Sequence, residues 1–319
     1  MQRAVEQDGR GDGVAPRTGI ETDAGLAIER GRELRGVQRF SHEAMATVFE
    51  VYAAHPDEGY AAQAAQAAFD LTDRLERELS RFLPNSDITR INHLAAGRTT
   101  RVSPTTFECL TIARHMFDLT GGAFDISIGT GLASLELDDD NFAVGATKEG
   151  VRLDLGGIGK GYAVDLMAEL LEEWGLARAL VHGGFSSVLA LDPPAGSEGW
   201  PLTLSDPASP SRVLARMPAR QVALGASGLR KGGHIIDPSR GEPVQGRLAA
   251  WVAVPRPQIA AGGEGPRIAP TTVADALTTA FMMLELDEIA ALCERSPGVR
   301  AWILPEAGAG VVSVSSAGL

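Results

Sequence analysis

Cysteine is almost missing: the 319 residues carry two, Cys109 and Cys293, far apart and each inside an apolar helical pattern. That leaves no disulfide framework and no CxxC metal site, and it reads as two buried thiols. Long apolar runs are missing as well. Nowhere do 18 consecutive apolar residues occur, so no transmembrane helix is expected. The opening MQRAVEQDGRGDGVAPRTG has no apolar stretch behind its charges, so no signal peptide or lipobox is read and the sequence as given is expected in the cytoplasm. Positive charge is in short supply: 29 Lys and Arg face 41 Asp and Glu, for a formal net charge of −12 and a pI near 5.0. Such a balance repels polyanions at long range, so nucleic acid is not an expected partner. No internal repeat is visible.

What is present is ample apolar material, 44% of the chain, enough to bury a substantial core. Residues 1–36 contribute little to it. They hold seven glycines, mixed charges and no aromatic residue, and are expected to be a disordered N-terminal tail ahead of one domain over 37–319. TVFEVYA (47–53) reads as a strand and 58–79 as a helix with Phe69, Leu71, Leu75 and Leu79 at helical spacing. Ser103 as N-cap, Pro104 at the first helical position and Gly121 as the stop frame a second helix. A third follows the glycine turn at 156–161 and ends at Gly175. ALVHGGFSSVLAL reads as strand, turn, strand; PLTLS, RVLARM, QVALGAS and LAAWVAV read as short strands. Loops are expected at 192–201 and 255–270, a final helix at about 273–292, and a closing strand pair in WILPEAGAGVVSVSS. Without strict βαβ alternation this is an α+β fold, with mixed sheets and packed helices.

Four segments carry polar groups in apolar settings. LDLGGIGKGYAVD (153–165) is a strand end, a glycine turn and a helix start, the arrangement that offers free backbone N–H groups to a phosphate. It is not a Walker loop, because Asp154 stands where the first glycine belongs and Gly161 where Ser or Thr belongs. A tight turn with a solvated Lys160 is the plain alternative. In VADALTTAFMML (273–284), Asp275 and Thr279 share one face of an otherwise apolar helix. A hard cation bound by one carboxylate, a hydroxyl and backbone carbonyls, with phosphate oxygens completing its shell, would partner that acid. Equally, Thr272 and Asp275 have capping-box spacing, so Asp275 serving the N-terminus of its own helix stays open. TGGAFDISIG (120–129) sets Phe124 and Asp125 behind a glycine pair, where a ring and a carboxylate can meet a ligand. HIIDPSRGEPV (234–244) opens on His234, a side chain able to accept a proton from a hydroxyl near neutrality.

In their order and wording, HEAMATVFEV, LSRFLPNSDITRIN, TGGAFDISIG, LDLGGIGKGYAVD, HIIDPSRGEPV and VADALTTAFMML resemble the ApbE family of FAD:protein FMN transferases, from about residue 38 to the C-terminus. The resemblance implies a T-fold-like domain whose FAD pocket is lined by Met45, Phe82, Ala123, Phe124, Asp125, Lys160 and Ile236. It implies a magnesium site from the carbonyl of Gly157, Asp275, Thr278 and Thr279. It also implies transfer of FMN to a Ser or Thr of an acceptor protein, through a phosphoester and with loss of AMP; His234 and Asp125 are the candidate catalytic groups. An FAD pyrophosphatase and a non-catalytic flavin carrier are the alternatives, and the family analogy adds a periplasmic or membrane-associated compartment to the cytoplasmic reading. Ala46, Gly159 and Phe185 depart from residues common in the family, which often has Gly, Ala and Asp there.

Overall fold

The computed structural model describes residues 26–28, 34, 36–229, 235–256, 269–306 and 310–315. In chain order the strands are β1 (Leu26–Ile28), β2 (Gln38–Ala44), β3 (Thr47–Ala53), β4 (Arg98–Arg101), β5 (Leu135–Asp138), β6 (Ala143–Ala146), β7 (Ala179–Gly183), β8 (Ser187–Ala190), β9 (Trp200–Asp206), β10 (Ser209–Ala219), β11 (Val222–Gly228), β12 (Ile236–Asp237), β13 (Glu242–Pro243), β14 (Arg247–Pro255), β15 (Arg300–Pro305) and β16 (Val312–Ser315). The helices are α1 (Glu58–Leu79), α2 (Asp87–Asn92), α3 (Pro104–Leu119), α4 (Gly159–Glu173), α5 (Pro270–Phe281) and α6 (Leu286–Arg295). Eight strands form the central sheet in the order β16-β15-β14-β11-β8-β7-β3-β2. Every strand pair among the described residues is antiparallel, and the architecture is α+β as expected.

Both faces of this sheet are buried, and the period of two along each strand sorts side chains between them. In β14, Ala250, Val252 and Val254 join the core under the helices, whereas Ala249, Trp251 and Ala253 join a second core. A small sheet, β1-β9-β10, covers that second face. Two-sided burial is why LAAWVAV looks continuously apolar instead of alternating.

Two expectations need correction. The tail reading fails for Leu26–Ile28, which pair with β9; Leu26 is fully buried, and its carbonyl lies 3.0 Å from His182 Nε2. Backbone pairing with an existing edge and one leucine in an apolar socket suffice to order three residues in a polar stretch. Residues 1–25 lie outside the described residues. The single final helix is two helices. The chain leaves α5 after Met282, and Glu285 and Glu288 form a capping box that restarts it as α6.

Candidate active site

Leu155 ends the approach to a turn at Gly156–Ile158, and α4 begins at Gly159 with no side-chain cap from its own sequence. The missing cap comes from elsewhere: Asp275 Oδ2, on α5, accepts the Gly161 N–H at 2.8 Å. α5 is served in return by α4, because Asp165 accepts the N–H groups of Thr271 (3.0 Å) and Thr272 (2.8 Å) and the Thr272 hydroxyl (2.7 Å). Each helix thus carries the carboxylate that caps the other. The own-helix capping reading of Asp275 is overturned, since Thr272 points its hydroxyl at Asp165 and Asp275 faces α4.

Glycine permits this crossing. A Cβ on Gly161 would sit 2.5 Å from the Thr271 carbonyl oxygen, and one on Gly225 of β11 would sit 2.6 Å from the Ala274 carbonyl carbon and oxygen. α5 is therefore wedged between α4 and the sheet at backbone contact distance.

Asp275 is 5% exposed, and its two oxygens also accept from Ser187 Oγ at 2.9 and 2.7 Å. Burial pushes its pKa up to about 7, opposed by the charge of Lys160 and the hydrogen bonds from Ser187 and Gly161, and reinforced by Asp165. Burial likewise lifts Asp165 to about 6 against the hydrogen bonds from Thr272 and Thr271. No ion pair reaches Asp275 among the described residues.

A cleft of about 470 Å³ opens beside this carboxylate. Met45, Ala123, Phe124, Asp125, Gly157, Lys160, Ile236, Asp275, Thr278 and Thr279, all expected from the sequence, line it together. Thr278 Oγ1 donates to the Asp275 carbonyl at 2.8 Å and accepts from Ser227; Thr279 Oγ1 donates to the same carbonyl at 3.2 Å. Gly157 faces Thr279 and Phe124, for a Cβ there would lie 3.2 Å from Thr279 Oγ1 and 3.4 Å from the Phe124 ring. One buried carboxylate, two hydroxyls and a glycine carbonyl are all hard oxygen donors, a set that suits magnesium and leaves coordination positions for water or phosphate. No cluster of three His, Cys, Asp or Glu side chains competes as a metal site among the described residues.

Other expected residues stand differently. Phe82 is 77% exposed and outside the lining, with the Arg81 guanidinium carbon 4.3 Å from its ring centre. Phe124 is 2% exposed, so it forms floor more than stacking platform. The Asp125 carboxylate folds back on its own loop, accepting Ser127 N–H at 2.7 Å and Gly129 N–H at 2.9 Å. His234 lies outside the described residues. Sequence reasoning missed Ser187, Asp165, Arg81 and Asp154. Arg81 Nε lies 2.9 Å from Asp154 Oδ2, while Asp154 Oδ1 accepts the Gly156 N–H at 2.9 Å and Lys160 Nζ donates to the Gly156 carbonyl at 3.1 Å. Asp154 and Lys160 meet Gly156 within the turn itself, whereas Arg81 reaches it from a segment distant in sequence.

The ApbE family model matches residues 45–140 and 130–303. A Klebsiella pneumoniae protein named FAD:protein FMN transferase is 23% identical over 293 residues, covering 76% of this chain and 79% of its own. One of the same name from Treponema pallidum is 28% identical over 306 residues, covering 78% and 80%. The fold matches that of the flavin transferase ApbE from Vibrio cholerae with a TM-score of 0.73 at 18% identity, over 88% of this chain and 98% of that one. With the glycine turn, the AFD loop and the α5 carboxylate all inside the matched spans and gathered on one cleft, this chain belongs to the ApbE family.

Proposed function

We propose that this chain is a magnesium-dependent FAD:protein FMN transferase that moves FMN from FAD to a Ser or Thr hydroxyl of an acceptor protein. The observation that carries the reading is the meeting, in one cleft, of a phosphate-type glycine turn and a buried carboxylate that no ion pair reaches among the described residues. Asp275, Thr278, Thr279 and the Gly157 carbonyl would hold the magnesium. When bound, the metal neutralises charge developing on the phosphoryl oxygens and on the departing AMP.

The chain's own residues do the rest. Lys160 and the turn at Gly156–Gly157 orient the diphosphate, and Met45, Ala123 and Ile236 supply apolar wall for the flavin. The acceptor oxygen attacks the FMN-side phosphorus in line; a new phosphoester forms as the bond to the AMP oxygen breaks, and His234 takes the hydroxyl proton.

The test is incubation of the purified protein with FAD, magnesium and a lysate of its own host, followed by in-gel flavin fluorescence. A fluorescent protein band with release of AMP is expected. Free FMN without any labelled protein would replace the reading with FAD hydrolysis, and unchanged FAD would replace it with flavin carriage.

A further inference from the structure

Arg81 lines the cleft from the loop between α1 and α2, yet has no part in the transfer as proposed. Its Nε is spent on Asp154 at 2.9 Å, and its guanidinium lies over the Phe82 ring at 4.3 Å. The side chain is 45% exposed, and its terminal nitrogens donate to no side chain or carbonyl among the described residues. The Phe82 ring thus backs one side of a charged fork that remains partly open to solvent.

The charge balance of the lining gives that fork a purpose. Lys160 and Arg81 are the cations on the described wall, against the carboxylates of Asp125, Asp154 and Asp275. A dinucleotide diphosphate adds about two negative charges to those three carboxylates, and Lys160 with the one magnesium proposed above offsets only part of that sum. Arg81 and Lys160 flank the glycine turn: Lys160 bonds the Gly156 carbonyl, and Arg81 reaches the same residue through Asp154, which holds the Gly156 N–H.

We propose that Arg81 is a phosphate-binding residue of this cleft, parked on Asp154 and turned to a phosphate of FAD, and of the AMP product, when either is bound. The inference rests on the FAD reading above for its substrate class. A guanidinium presents two parallel N–H donors to phosphate oxygens, a match a lysine does not make. Asp154 competes with the ligand for the same cation, so it weakens phosphate binding while shaping the turn.

That competition separates a phosphate contact from a purely structural pin. In Asp154→Asn, Oδ1 still accepts the Gly156 N–H while the charge opposite Arg81 is gone. FAD, AMP and riboflavin are titrated calorimetrically into the full chain, its Arg81→Gln and Arg81→Lys variants and Asp154→Asn, with melting temperatures as the fold control. Arg81→Gln should weaken FAD and AMP about tenfold or more and leave riboflavin unchanged, with Arg81→Lys intermediate. Asp154→Asn should tighten FAD and AMP about two- to fivefold. Unchanged FAD affinity in Arg81→Gln, an equal loss for riboflavin, or weaker FAD binding in Asp154→Asn would overturn the assignment. Wild-type protein that binds AMP through Arg81 but not FAD would keep the phosphate site and remove the flavin reading; binding of neither ligand would remove both.

Discussion

Met45 and Ala46 form the two-residue turn between β2 and β3, with φ of 50° and 57°. Both angles lie in the left-handed region, where a Cβ is crowded and glycine is favoured. The turn aims both residues into the cleft, so the strain sits at the site itself. Ala46→Gly should raise stability by about 0.5–1 kcal/mol in chemical denaturation, with the unfolded-state entropy of glycine holding the gain to that size. A variant less stable than the wild type would mean that the Ala46 methyl packs to more advantage than its backbone loses. Asp275 is the sharper residue. Burial already favours its neutral form, so Asp275→Asn should change melting temperature little without magnesium; Oδ1 can still accept from Gly161 and Nδ2 can donate to Ser187 Oγ. Magnesium-dependent transfer should fall by on the order of 100-fold or more, because the one charged ligand of the proposed magnesium site is removed. Wild-type transfer at limiting magnesium would remove Asp275 from the metal site. The spacing of Asp275 and Thr279 along one apolar helix left a cation site and a helix cap both open, and only the family resemblance added Thr278 and the Gly157 carbonyl. Ser187 and Asp165 were not legible, because their partners lie in other elements and no local pattern marks them.

Between elements, the crossing of α4 and α5 sets the geometry of the site. Asp165 is a buried acid lifted to about 6, while in the unfolded chain it titrates near the ordinary carboxylate value of 3.8. The sign follows: the folded state holds this proton more tightly, so its contribution is fully present below about pH 4 and is lost as pH rises through about 6. The loss is worth on the order of 3 kcal/mol at most. Asp165→Asn removes the titration, so the stability difference between wild type and variant should shift in the variant's favour by up to that amount between pH 4 and 7. At every pH the amide satisfies fewer of the three donors from Thr271 and Thr272, an offset of about 1–3 kcal/mol against the variant. Parallel stability profiles for the two proteins would show that Asp165 stays ionised throughout. Gly225→Ala tests the wedge from the other side: its Cβ would meet backbone of Ala274, so α5 must shift, at a cost of about 1–3 kcal/mol. Sequence marked the starts and stops of α1, α3 and α4 well, because Ser103, Pro104 and Gly175 act locally. It merged α5 with α6, since the apolar run through Met282–Leu284 continues across the break and the capping glutamates look like surface residues.

Across the whole molecule, the central sheet is sealed on one face by helices and on the other by the small β1-β9-β10 sheet, and the N-terminal strand ties that second layer to the cleft. Leu26 N–H donates to the Phe185 carbonyl at 3.1 Å, and His182, kept neutral by burial, donates from Nε2 to the Leu26 carbonyl. Phe185 has φ of 59° and turns its ring onto His182, with centroids 5.0 Å apart, while its neighbours Gly184 and Ser186 line the cleft. A residue the family often fills with Asp thus faces the second layer here, and the composition of residues 1–36 gave no hint that three of them would dock on it. Deletion of residues 1–23 should leave melting temperature and FAD affinity unchanged, because that stretch is rich in Gly and charge and holds no leucine or aromatic residue. Deletion of 1–36 empties the Leu26 socket and takes the acceptor from His182 Nε2, a loss of about 2–5 kcal/mol by analogy with buried leucine removal. In a chain of this size that lowers the melting temperature by roughly 3–8 °C. FAD affinity should fall as well, since the turn at 184–186 loses its backbone tie on the side away from the cleft. Leu26→Ala in the full chain should reproduce the stability loss but keep both backbone hydrogen bonds, and with them most of the FAD affinity. Equal melting temperatures for the two truncations would show that β1 contributes nothing to the fold, and a loss of FAD binding in Leu26→Ala as large as in the longer truncation would place the coupling in side-chain packing and not in the strand's backbone.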